Sequence, residues 1–506
     1  MTVMQKSQRD TAPLSIAIAG GGTAGWMAAA AVSRLTGCAV TLVESDAIGT
    51  VGVGEATIPQ IRHFNQALGI DEAEFLRETK GSFKLGIAFD GWRGEGHSYM
   101  HAFGPVGQSS GLIAFRHYWL RAKALGHAKD LAHYSPNEMA ARNLRMPGPG
   151  SADLPYAYHF DASLYAAFLR HYAETRGVVR AGGIIERVER DSETGDIAAL
   201  VLDGDRRLEA DFFIDCTGFR ALLIEGAMGA GFDDWSNLLP CDRALAVPCT
   251  SGGDFTPYTR AMARKAGWQW RIPLQHRIGN GYVFSSQFCS EADAADTLLA
   301  NLDGSPDGDP RLLSFTTGKR RRQWVGNCLG LGLAAGFMEP LESTSIHLVQ
   351  SALARFLQLL PTGRSTPSTI DHFNTQADFE WSRVRDFLVL HYWANGREGE
   401  PFWDAMRALG PPATLKCKID QWRDTGHIHR EHEELFTEVA WFQVFAGQGV
   451  SANHYNPLAD AMAEHDLRDF LASQERQLEQ AAAAMPHHAD TLGRLMARPA
   501  KRNTAA

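Results

Sequence analysis

The sequence lacks the features that mark a secreted, zinc-binding or membrane protein. Its seven cysteines are odd in number, scattered along 506 residues and never spaced as Cys-x-x-Cys. This pattern argues against a disulfide framework and a zinc knuckle, and reduced thiols fit a cytoplasmic location. The N-terminal segment has no apolar signal-peptide core, and no later segment approaches the roughly 18 uncharged residues that a membrane helix requires. We therefore expect a cytoplasmic protein with no membrane partner.

Strong charge of one sign is also missing. The formal net charge is -9 and charged residues make up 21% of the chain, which is mild for this length. No cluster of lysine and arginine is interleaved with aromatic residues, so nucleic acid is not an expected partner. Hydrophobic residues make up 44% of the chain, enough to bury a large core in more than one structural unit.

The first 45 residues predict a βαβ unit. The stretch "LSIAIAGGGTAGWMAAAAVSRL" reads as a strand, a glycine turn and an alanine-rich helix, and "CAVTLVES" reads as a second strand. The turn carries a Gly-x-Gly-x-x-Gly pattern at Gly20, Gly22 and Gly25, and Glu44 ends the second strand. Such glycines let the backbone approach a pyrophosphate at a helix N-terminus, and the acid accepts hydrogen bonds from ribose. Dinucleotide binding is therefore predicted, with Thr23 and Ala24 also beside the cofactor, although a glycine turn can serve packing alone.

Other segments indicate how the chain is organised. "IGTVGVGEATIP" reads as a loop, either a surface turn or a second flavin-contacting segment that includes Gly54 and Ala56. "GGIIERVERDSETGDIAALVLDGDRRLEADFFIDCTGFR" reads as strands joined by turns. The chain after Pro361 has helical periodicity. The predicted fold class is α/β, with a dinucleotide-binding unit over 12–361 and a mainly helical module over 362–500.

"SFKLGIAFDGW" contains the first candidate for chemistry. Its apolar residues alternate with Lys84, Gly86, Ala88 and Asp90, the period expected of a half-buried strand. The small neighbours Gly86 and Ala88 leave room beside the amine of Lys84. A solvated lysine on a sheet face is the ordinary alternative. Trp268 and Trp270 in "GWQWRIPL" share one side of an extended segment, and His101 and Phe103 in "HAFG" could form an aromatic wall.

"EPLESTSIHL" gathers acids and hydroxyl residues where a helix should begin. Apolar residues recur at helical spacing from Ile346, and Pro361 ends the pattern. Ser343 or Thr344 is therefore expected to cap the helix, whose first amides form an anion site. Glu342 lies just outside this site, where a favourable interaction with the helix dipole is its ordinary role.

Two histidine-rich stretches resemble metal sites only by composition. "HIHREHEE" near His427 and "MPHHAD" at His487 and His488 match no metalloprotease or zinc-finger spacing. No bound metal is therefore predicted.

Several of these signals occur together, and their combination resembles the flavin-dependent tryptophan halogenase family. The motifs are "GGGTAGW", "SFKLGIAFDGW", "HAFG", "GWQWRIP" and "PLESTS", and they span nearly the whole chain. The Trp-x-Trp-x-Ile-Pro motif is strongly associated with this family. The resemblance implies a two-dinucleotide-fold FAD box, similar to that of aromatic hydroxylases, and a mainly helical substrate module.

The resemblance also implies a mechanism and the residues that carry it. Reduced FAD and O2 form a C4a-hydroperoxide, halide (chloride or bromide) attacks it, and hypohalous acid travels through a tunnel to a lysine near the substrate. The family's lysine corresponds to Lys84 and not to Lys80, and its glutamate corresponds to Glu342. The amides associated with halide correspond to Thr344 and Ser345. A separate NAD(P)H-dependent flavin reductase is the implied partner, and a homodimer is left open.

Two departures from the family pattern bear on the substrate. Many relatives have glycine where Ser345 stands, although its amide survives this change. The C-terminal half lacks the paired tyrosines and nearby acid that hold the amino-acid part of tryptophan. "VAWFQVFAGQG" supplies Trp441 without those polar groups, so the expected substrate is free indole or a similar aromatic beside His101, Phe103 and Trp441, and a carrier-bound substrate stays open. The alternatives are a flavin-dependent aromatic hydroxylase and a catalytically silent flavin-binding protein.

Overall fold

The structure is a computed structural model that describes residues 13–45, 54–148, 154–251 and 255–498. Strands and helices are mixed along the chain, which confirms the predicted α/β class. The strands are β1 (Ser15–Ala19), β2 (Ala39–Glu44), β3 (Gly54–Ala56), β4 (Ser82–Lys84), β5 (Gly86–Asp90), β6 (Ser98–Ala102), β7 (Ala157–Asp161), β8 (Val179–Gly182), β9 (Ile185–Arg190), β10 (Ile197–Leu202), β11 (Arg206–Glu209), β12 (Phe212–Asp215), β13 (Phe232–Asp234), β14 (Arg243–Cys249), β15 (Thr259–Arg264), β16 (Gly267–Pro273), β17 (Ile278–Phe284), β18 (Arg311–Ser314), β19 (Gly318–Arg320), β20 (Trp324–Val325), β21 (Cys328–Gly330) and β22 (Gly336–Phe337). The helices are α1 (Thr23–Leu35), α2 (Gln60–Leu68), α3 (Glu72–Glu78), α4 (Phe115–Ala124), α5 (Pro136–Arg142), α6 (Ala162–Glu174), α7 (Glu291–Ala300), α8 (Ser345–Gln358), α9 (Pro367–Trp393), α10 (Pro401–Ala408), α11 (Ala413–Thr425), α12 (Glu438–Gly447), α13 (Glu464–Ala484) and α14 (His488–Met496).

A six-stranded sheet in the order β20-β21-β12-β1-β2-β8 holds the N-terminal βαβ unit. β1 pairs in parallel with both β2 and β12, so it lies in the centre of the sheet. Its residues from Ile16 to Ala19 are almost fully buried, as expected of a parallel strand covered on both faces. The helix α1 packs against α6 and α8, and its alanines let these helices approach closely. The predicted strand, glycine turn, helix and strand are all confirmed.

A seven-stranded sheet in the order β18-β14-β17-β16-β15-β5-β6 forms a second layer. It contains β16, the strand of the Trp-x-Trp-x-Ile-Pro motif. A three-stranded sheet in the order β3-β7-β4 lies beside it, and Gly54 of β3 approaches Ile272 of β16. The segment predicted as strands joined by turns forms β9 to β12, and β9, β10 and β11 make an antiparallel sheet of their own.

Two local predictions were wrong. "SFKLGIAFDGW" is not one half-buried strand, because Phe83 to Phe89 are buried without interruption and Leu85 separates β4 from β5, which belong to different sheets. The chain changes sheets at Leu85, whose amide donates to Pro257 and whose carbonyl accepts from Phe103. The stretch from Ile48 to Pro59 was predicted as a loop; 48–53 lie outside the described residues, but Gly54–Ala56 form β3 by pairing with β7.

After Pro361 the described chain forms α9 to α14 and one short 3₁₀ helix, joined by loops such as 427–436. The aromatic residues of α9, α10 and α12 share a core with β5, β15 and β16. The proposed division at 361 stays a prediction. Within the described ranges, no helix combines the length and the apolar character needed to cross a bilayer.

Candidate functional site

The glycine turn after β1 borders a cavity of about 470 Å³. Gly20 has a φ of +107°, and a Cβ there would lie 2.2 Å from the carbonyl oxygen of Cys216. A Cβ at Gly25 would lie 1.8 Å from the carbonyl oxygen of Gly20. A Cβ at Gly22, by contrast, would meet nothing within 4 Å. Gly20 and Gly25 therefore permit close packing of the turn, whereas Gly22 leaves open space beside the helix N-terminus.

The predicted cofactor residues lie around this one cavity. The lining includes Gly20, Gly22, Thr23, Ala24, Glu44, Gly54 and Ala56, whereas Gly25 is buried behind the turn. Glu44 is held by protein groups: Arg180 Nε lies 2.6 Å from its Oε1, and Trp26 Nε1 donates to its Oε2 over 3.3 Å. Its contact with ribose stays a prediction.

The cavity fits a flavin dinucleotide. Trp270, Ile272 and Phe337 supply apolar walls, and the glycine turn presents amides at the positive end of α1, where an anionic pyrophosphate is favoured. Gln323 also lines the cavity, and its buried side-chain nitrogen has no hydrogen-bond partner among the described residues. A bound ligand with an acceptor atom would satisfy this amide. No motif marks Gln323, so sequence reasoning missed it.

Lys84 is completely buried at the end of β4. Its Nζ donates a hydrogen bond of 2.7 Å to Ser343 Oγ and lies 5.4 Å from the centre of the Phe103 ring. Burial lowers the pKa of Lys84 from 10.5 to about 7, although the charges of Glu342 and Glu55 oppose this shift. The ordinary alternative, a solvated lysine on a sheet face, is therefore wrong. Lys80 is exposed in the turn before β4.

The stretch "EPLESTS" forms a 3₁₀ turn, Pro340–Glu342, and α8 begins shortly after it, at Ser345. Ser343 has a φ of +58°, a left-handed conformation that is uncommon for residues other than glycine. The predicted side-chain cap is wrong: Thr344 occupies the N-cap position but makes no capping hydrogen bond. Its helical backbone angles do not suit a cap, and the hydroxyl of Ser343 is bound to Lys84.

The amides of Thr344 and Ser345 remain available at this helix start. Neither donates a hydrogen bond within the part of the chain that the structure describes. Ser345 lines the cofactor cavity together with Ser343. Successive amides that follow a left-handed residue at a helix N-terminus form a concave site suited to a small anion.

Glu342 is buried between two histidines. His101 Nδ1 lies 2.7 Å from its Oε2, and His391 Nε2 lies 2.8 Å from its Oε1 at an angle unsuited to a hydrogen bond. Burial by itself raises the pKa of Glu342, but His101 and His391 outweigh burial and the pKa falls to about 2. The carboxylate therefore stays ionised at neutral pH although the side chain is only 1% exposed.

His391 was missed by sequence reasoning. It lies in α9, its Nδ1 is 2.9 Å from the hydroxyl of Tyr99, and its ring stacks on Phe89 with centres 4.4 Å apart. Burial lowers the pKa of His391, and Glu342 opposes this shift. A lone histidine in a long helix belongs to no motif. Only its contact with Glu342, more than 40 residues earlier in the chain, places His391 in the candidate site.

Two of the three predicted substrate residues, His101 and Trp441, lie in one aromatic region, and the third, Phe103, lies in a different core cluster. His101 is 5.5 Å from the ring of Phe387, and Phe387 meets Trp441 edge-on at 4.8 Å. Phe436 stacks on Phe387 with centres 3.7 Å apart. Phe103 is buried beside Lys84. The indole nitrogen of Trp441 is buried without a hydrogen-bond partner among the described residues. Phe387, which no motif marked, therefore connects His101 to Trp441, and Phe436 packs against both His101 and Phe387.

The histidine-rich stretches have ordinary protein contacts. His427 Nδ1 lies 3.2 Å from Arg116, whose charge disfavours a bound cation, and His488 Nδ1 lies 3.0 Å from the carbonyl of Phe255. His133, Glu475 and Glu479 are close enough to share a cation, but Lys129 already binds Glu475.

Comparison with known proteins gives consistent matches over most of the chain. Residues 15–464 match the family described as tryptophan halogenase. The chain is 37% identical over 482 residues to tryptophan 7-halogenase RebH of Lentzea aerocolonigenes, covering 87% of this chain and 91% of that protein. Among solved structures, it is similar to Xcc4156, a flavin-dependent halogenase from Xanthomonas campestris, with a TM-score of 0.94, 46% identity, and coverage of 97% and 99%. BrvH, a flavin-dependent halogenase from Brevundimonas sp. BAL3, gives a TM-score of 0.92, 41% identity, and coverage of 96% and 99%.

Proposed function

The chain belongs to the tryptophan halogenase family, and from this premise we propose that it halogenates free indole or a similar aromatic with hypohalous acid held by Lys84 and directed by Glu342. The enzyme is an oxidoreductase, a flavin-dependent halogenase that uses FADH2, halide and O2 and receives reduced flavin from a separate reductase. Its α/β fold has the FAD-binding, Rossmann-like character of the halogenase structures. One observation carries the proposal: the buried Lys84 contacts Ser343, directly after the buried, ionised Glu342.

The cofactor cavity is the proposed site of oxidant formation. FAD bound there in its reduced form would, together with O2, convert halide to hypohalous acid and leave oxidised FAD and water. Gly20, Gly22, Thr23 and Ala24 would hold its pyrophosphate at the start of α1. The free amides of Thr344 and Ser345 would hold the halide, because Ser345 borders the same cavity.

Lys84 provides a fixed acceptor site for the electrophile. Ser343 lines the cofactor cavity, and its hydroxyl contacts the amine of Lys84. An ammonium donates a hydrogen bond to hypohalous acid, and a free amine forms a covalent N–halogen bond with release of water. Because the pKa of Lys84 is lowered to about 7, both forms are populated at neutral pH. Either route fixes the halogen at one point.

Glu342 stabilises positive charge as it develops on the substrate. Attack of the aromatic ring on the halogen forms a cationic arenium ion, and a buried carboxylate interacts strongly with such a charge. The pKa of about 2 keeps Glu342 ionised, and His101 fixes one of its oxygens through the 2.7 Å contact. The carboxylate then orients the electrophile and assists loss of the ring proton.

The aromatic region favours a neutral substrate. Phe103, Phe387, Phe436 and Trp441 are apolar surfaces suited to an indole ring. The charged pair nearest to Trp441 is occupied, because Lys418 lies 3.2 Å from Glu434 and its ammonium is 4.9 Å from the Trp441 ring. The zwitterionic part of tryptophan would lose its hydration there without gaining charged partners.

The proposal is tested by separating flavin oxidation from halogen transfer. Lys84→Met keeps chain length and apolar volume but removes the amine. FAD binding and O2 consumption should persist, peroxide or free hypohalous acid should escape, and haloindole formation should fall at least about a hundredfold. Liquid chromatography of the products and an oxygen electrode measure the two rates.

Lys80→Met is the matched control, because Lys80 is exposed four residues before Lys84. It should retain product formation within about twofold of the wild type. Haloindole formation by Lys84→Met at the wild-type rate would contradict the lysine relay. An oxygenated product that forms without halide would instead identify a hydroxylase.

Substrate choice is measured with indole and tryptophan under one set of halide and reductase conditions. We expect kcat/KM for indole to exceed that for tryptophan at least about tenfold, because the zwitterion pays an uncompensated desolvation cost in an apolar site. Equal values would contradict this preference, and a higher value for tryptophan would favour the substrate in the name of the relative RebH.

A further inference from the structure

Glu339 is a second buried acid of the "EPLES" turn, and neither the relay nor the cofactor cavity uses it. Its side chain has no exposed surface, and it is not among the residues that line the cavity. Trp268 Nε1 donates a hydrogen bond of 2.7 Å to Glu339 Oε2, and the hydroxyl of Tyr392 donates a short one to the same oxygen. Glu339 Oε1 is buried with no partner among the described residues.

The two donors come from different elements of the fold, β16 and α9. Trp268 belongs to β16 and lines the cofactor cavity, with its ring 6.1 Å from that of Trp270. Tyr392 belongs to α9, where it packs against Trp92 at 5.4 Å and Trp403 at 5.8 Å. Glu339 therefore connects the wall of the cofactor cavity to the helical module.

Glu339 is close in the chain to Glu342, the carboxylate proposed to direct the electrophile. Glu339 immediately precedes the 3₁₀ turn that ends at Glu342, and the turn is closed by a hydrogen bond of 3.0 Å from Ser343 to Pro340. Glu342 contacts His391, and Glu339 contacts Tyr392, the next residue of α9. Two successive residues of α9 thus contact the acids at the two ends of one hydrogen-bonded turn.

We infer that Glu339 is a positioning residue for halogenation, which fixes the turn carrying Glu342 against both the cavity wall and α9. The inference rests on the proposed function, because a displaced Glu342 matters only if that carboxylate directs the electrophile. Glu339 acts by accepting hydrogen bonds and does not touch substrate or cofactor. Burial also raises the pKa of Glu339 to about 7, so an uncharged side chain that accepts the same two bonds should replace it.

The experiment compares Glu339→Gln with Glu339→Met. Glutamine keeps an oxygen that accepts from Trp268 and Tyr392, whereas methionine has a similar volume and accepts neither bond. The readout is the partition of oxidised FADH2 between haloindole and hypohalous acid captured by a trapping reagent. In Glu339→Met the haloindole fraction should fall about tenfold and released hypohalous acid should rise, because a small displacement of a catalytic group costs rate more than substrate affinity. KM for indole should stay within about twofold.

Glu339→Gln should restore the wild-type partition within about twofold. Wild-type partition in Glu339→Met would overturn the inference, and so would a loss in Glu339→Gln as large as that in Glu339→Met, since charge would then matter more than position. If the wild-type enzyme makes no haloindole, the proposed function fails; if only the variants behave otherwise than expected, the positioning role fails alone.

Tyr392→Phe gives a second test, which can be used even if Glu339→Met does not fold. It removes one of the two bonds and should lower the haloindole fraction about threefold. Tyr165→Phe is the matched control, because Tyr165 is buried and its hydroxyl has no partner among the described residues.

In protein labelled with fluorotryptophan and free of FAD, the fluorine NMR signal of Trp268 reports the same hydrogen-bonded group. The signal is assigned by its loss in Trp268→Phe, and it should shift in Tyr392→Phe and not in Tyr165→Phe. An unshifted Trp268 signal with an unchanged partition would overturn the inference.

Discussion

At the residue scale, burial changes the protonation of Lys84, the residue that we propose holds the electrophile. Three opposing influences act on it: burial disfavours the ammonium, whereas Glu342 and Glu55 favour it. Burial is the strongest influence and lowers the pKa to about 7. Glu55, on β3 at the edge of the cofactor cavity, shows the converse effect, because burial raises the pKa of its carboxyl to about 7.

The lowered pKa of Lys84 predicts how stability depends on pH. Between pH 7 and 10.5 the unfolded chain holds a proton at Lys84 that the folded chain has released, so the contribution of Lys84 to folding becomes more favourable as pH rises. The slope is up to about 1.4 kcal/mol per pH unit. Below pH 7 the full cost of the buried ammonium is present. Lys84→Met lacks this cost, so its stability relative to the wild type should be greatest near pH 7 and decline toward pH 10.

Chemical denaturation of both proteins at several pH values measures this difference. Loss of Lys84 also removes the charge that lowers the pKa of Glu55. If the pKa of Glu55 rises further in Lys84→Met, the folded variant keeps that proton to a higher pH, and its free energy of unfolding falls as pH increases. This effect adds to the decline in relative stability that is expected from Lys84 alone. Lys80→Met should show no such trend, because Lys80 is exposed. A difference between Lys84→Met and the wild type that stays constant across this range would contradict the prediction.

At the scale of elements, the glycine turn combines two requirements that the motif alone does not separate. Gly25 and Gly20 permit backbone contact, whereas Gly22 faces open space beside α1. Gly25→Ala should therefore destabilise the fold by about 2 kcal/mol or more, because its Cβ would overlap a backbone oxygen that cannot move aside. Gly22→Leu should keep the melting temperature but weaken FAD binding at least about tenfold by filling the pyrophosphate space.

Thermal unfolding without FAD and fluorescence titration with FAD distinguish these two effects. The two variants are controls for each other. Gly25→Ala should lower the melting temperature and leave the FAD affinity of the folded protein nearly unchanged, and Gly22→Leu should do the reverse. Normal FAD affinity in Gly22→Leu would remove the role assigned to this turn position.

The sequence predicted elements best where local patterning and tertiary environment agree. β1, α1 and β2 were found because a parallel strand, a glycine fingerprint and an alanine-rich helix each have a local signature. The segment around Lys84 was misread because alternation indicates a strand but does not reveal that both faces are buried. β3 was missed because its three residues form a strand only through pairing with β7, about 100 residues away.

The candidate site shows the same limit. Lys84 and Glu342 were identified through family motifs, but His391, Phe387 and Phe436 have no local signature and enter the site only through packing of α9 and the segment before α12. The cap at Thr344 was wrong because a hydroxyl residue at a helix start is a general signal, and the neighbouring hydroxyl of Ser343 is bound to a lysine 259 positions earlier. Contacts between residues far apart in the chain decided each of these cases.

At the scale of the whole molecule, one turn separates two chemical environments. Pro340, Ser343 and Ser345 border the cofactor cavity, whereas Glu342 lies between His101 and His391. The cavity and the amides proposed to hold halide therefore lie on one side of the turn, and the Glu342 carboxylate meets α9 on the other. Under the proposed function, this arrangement would keep oxidant formation and halogen transfer in separate places that are joined through Ser343 and Lys84.

The single dinucleotide fingerprint predicts that the purified chain cannot reduce its own flavin. The sequence contains one dinucleotide fingerprint, the one at Gly20, Gly22 and Gly25, and the FAD that it is proposed to hold would occupy the cavity beside it. A mixture of the chain with FAD, halide, indole and NADPH should therefore oxidise no NADPH and form no haloindole. Adding a flavin reductase, or supplying FAD reduced chemically under nitrogen before O2 is admitted, should start product formation. Because reduced flavin is the only missing reactant, both sources should give the same haloindole isomer at matched FADH2. Oxidation of NADPH by the chain alone, at a rate equal to product formation, would contradict this prediction and require a nicotinamide site.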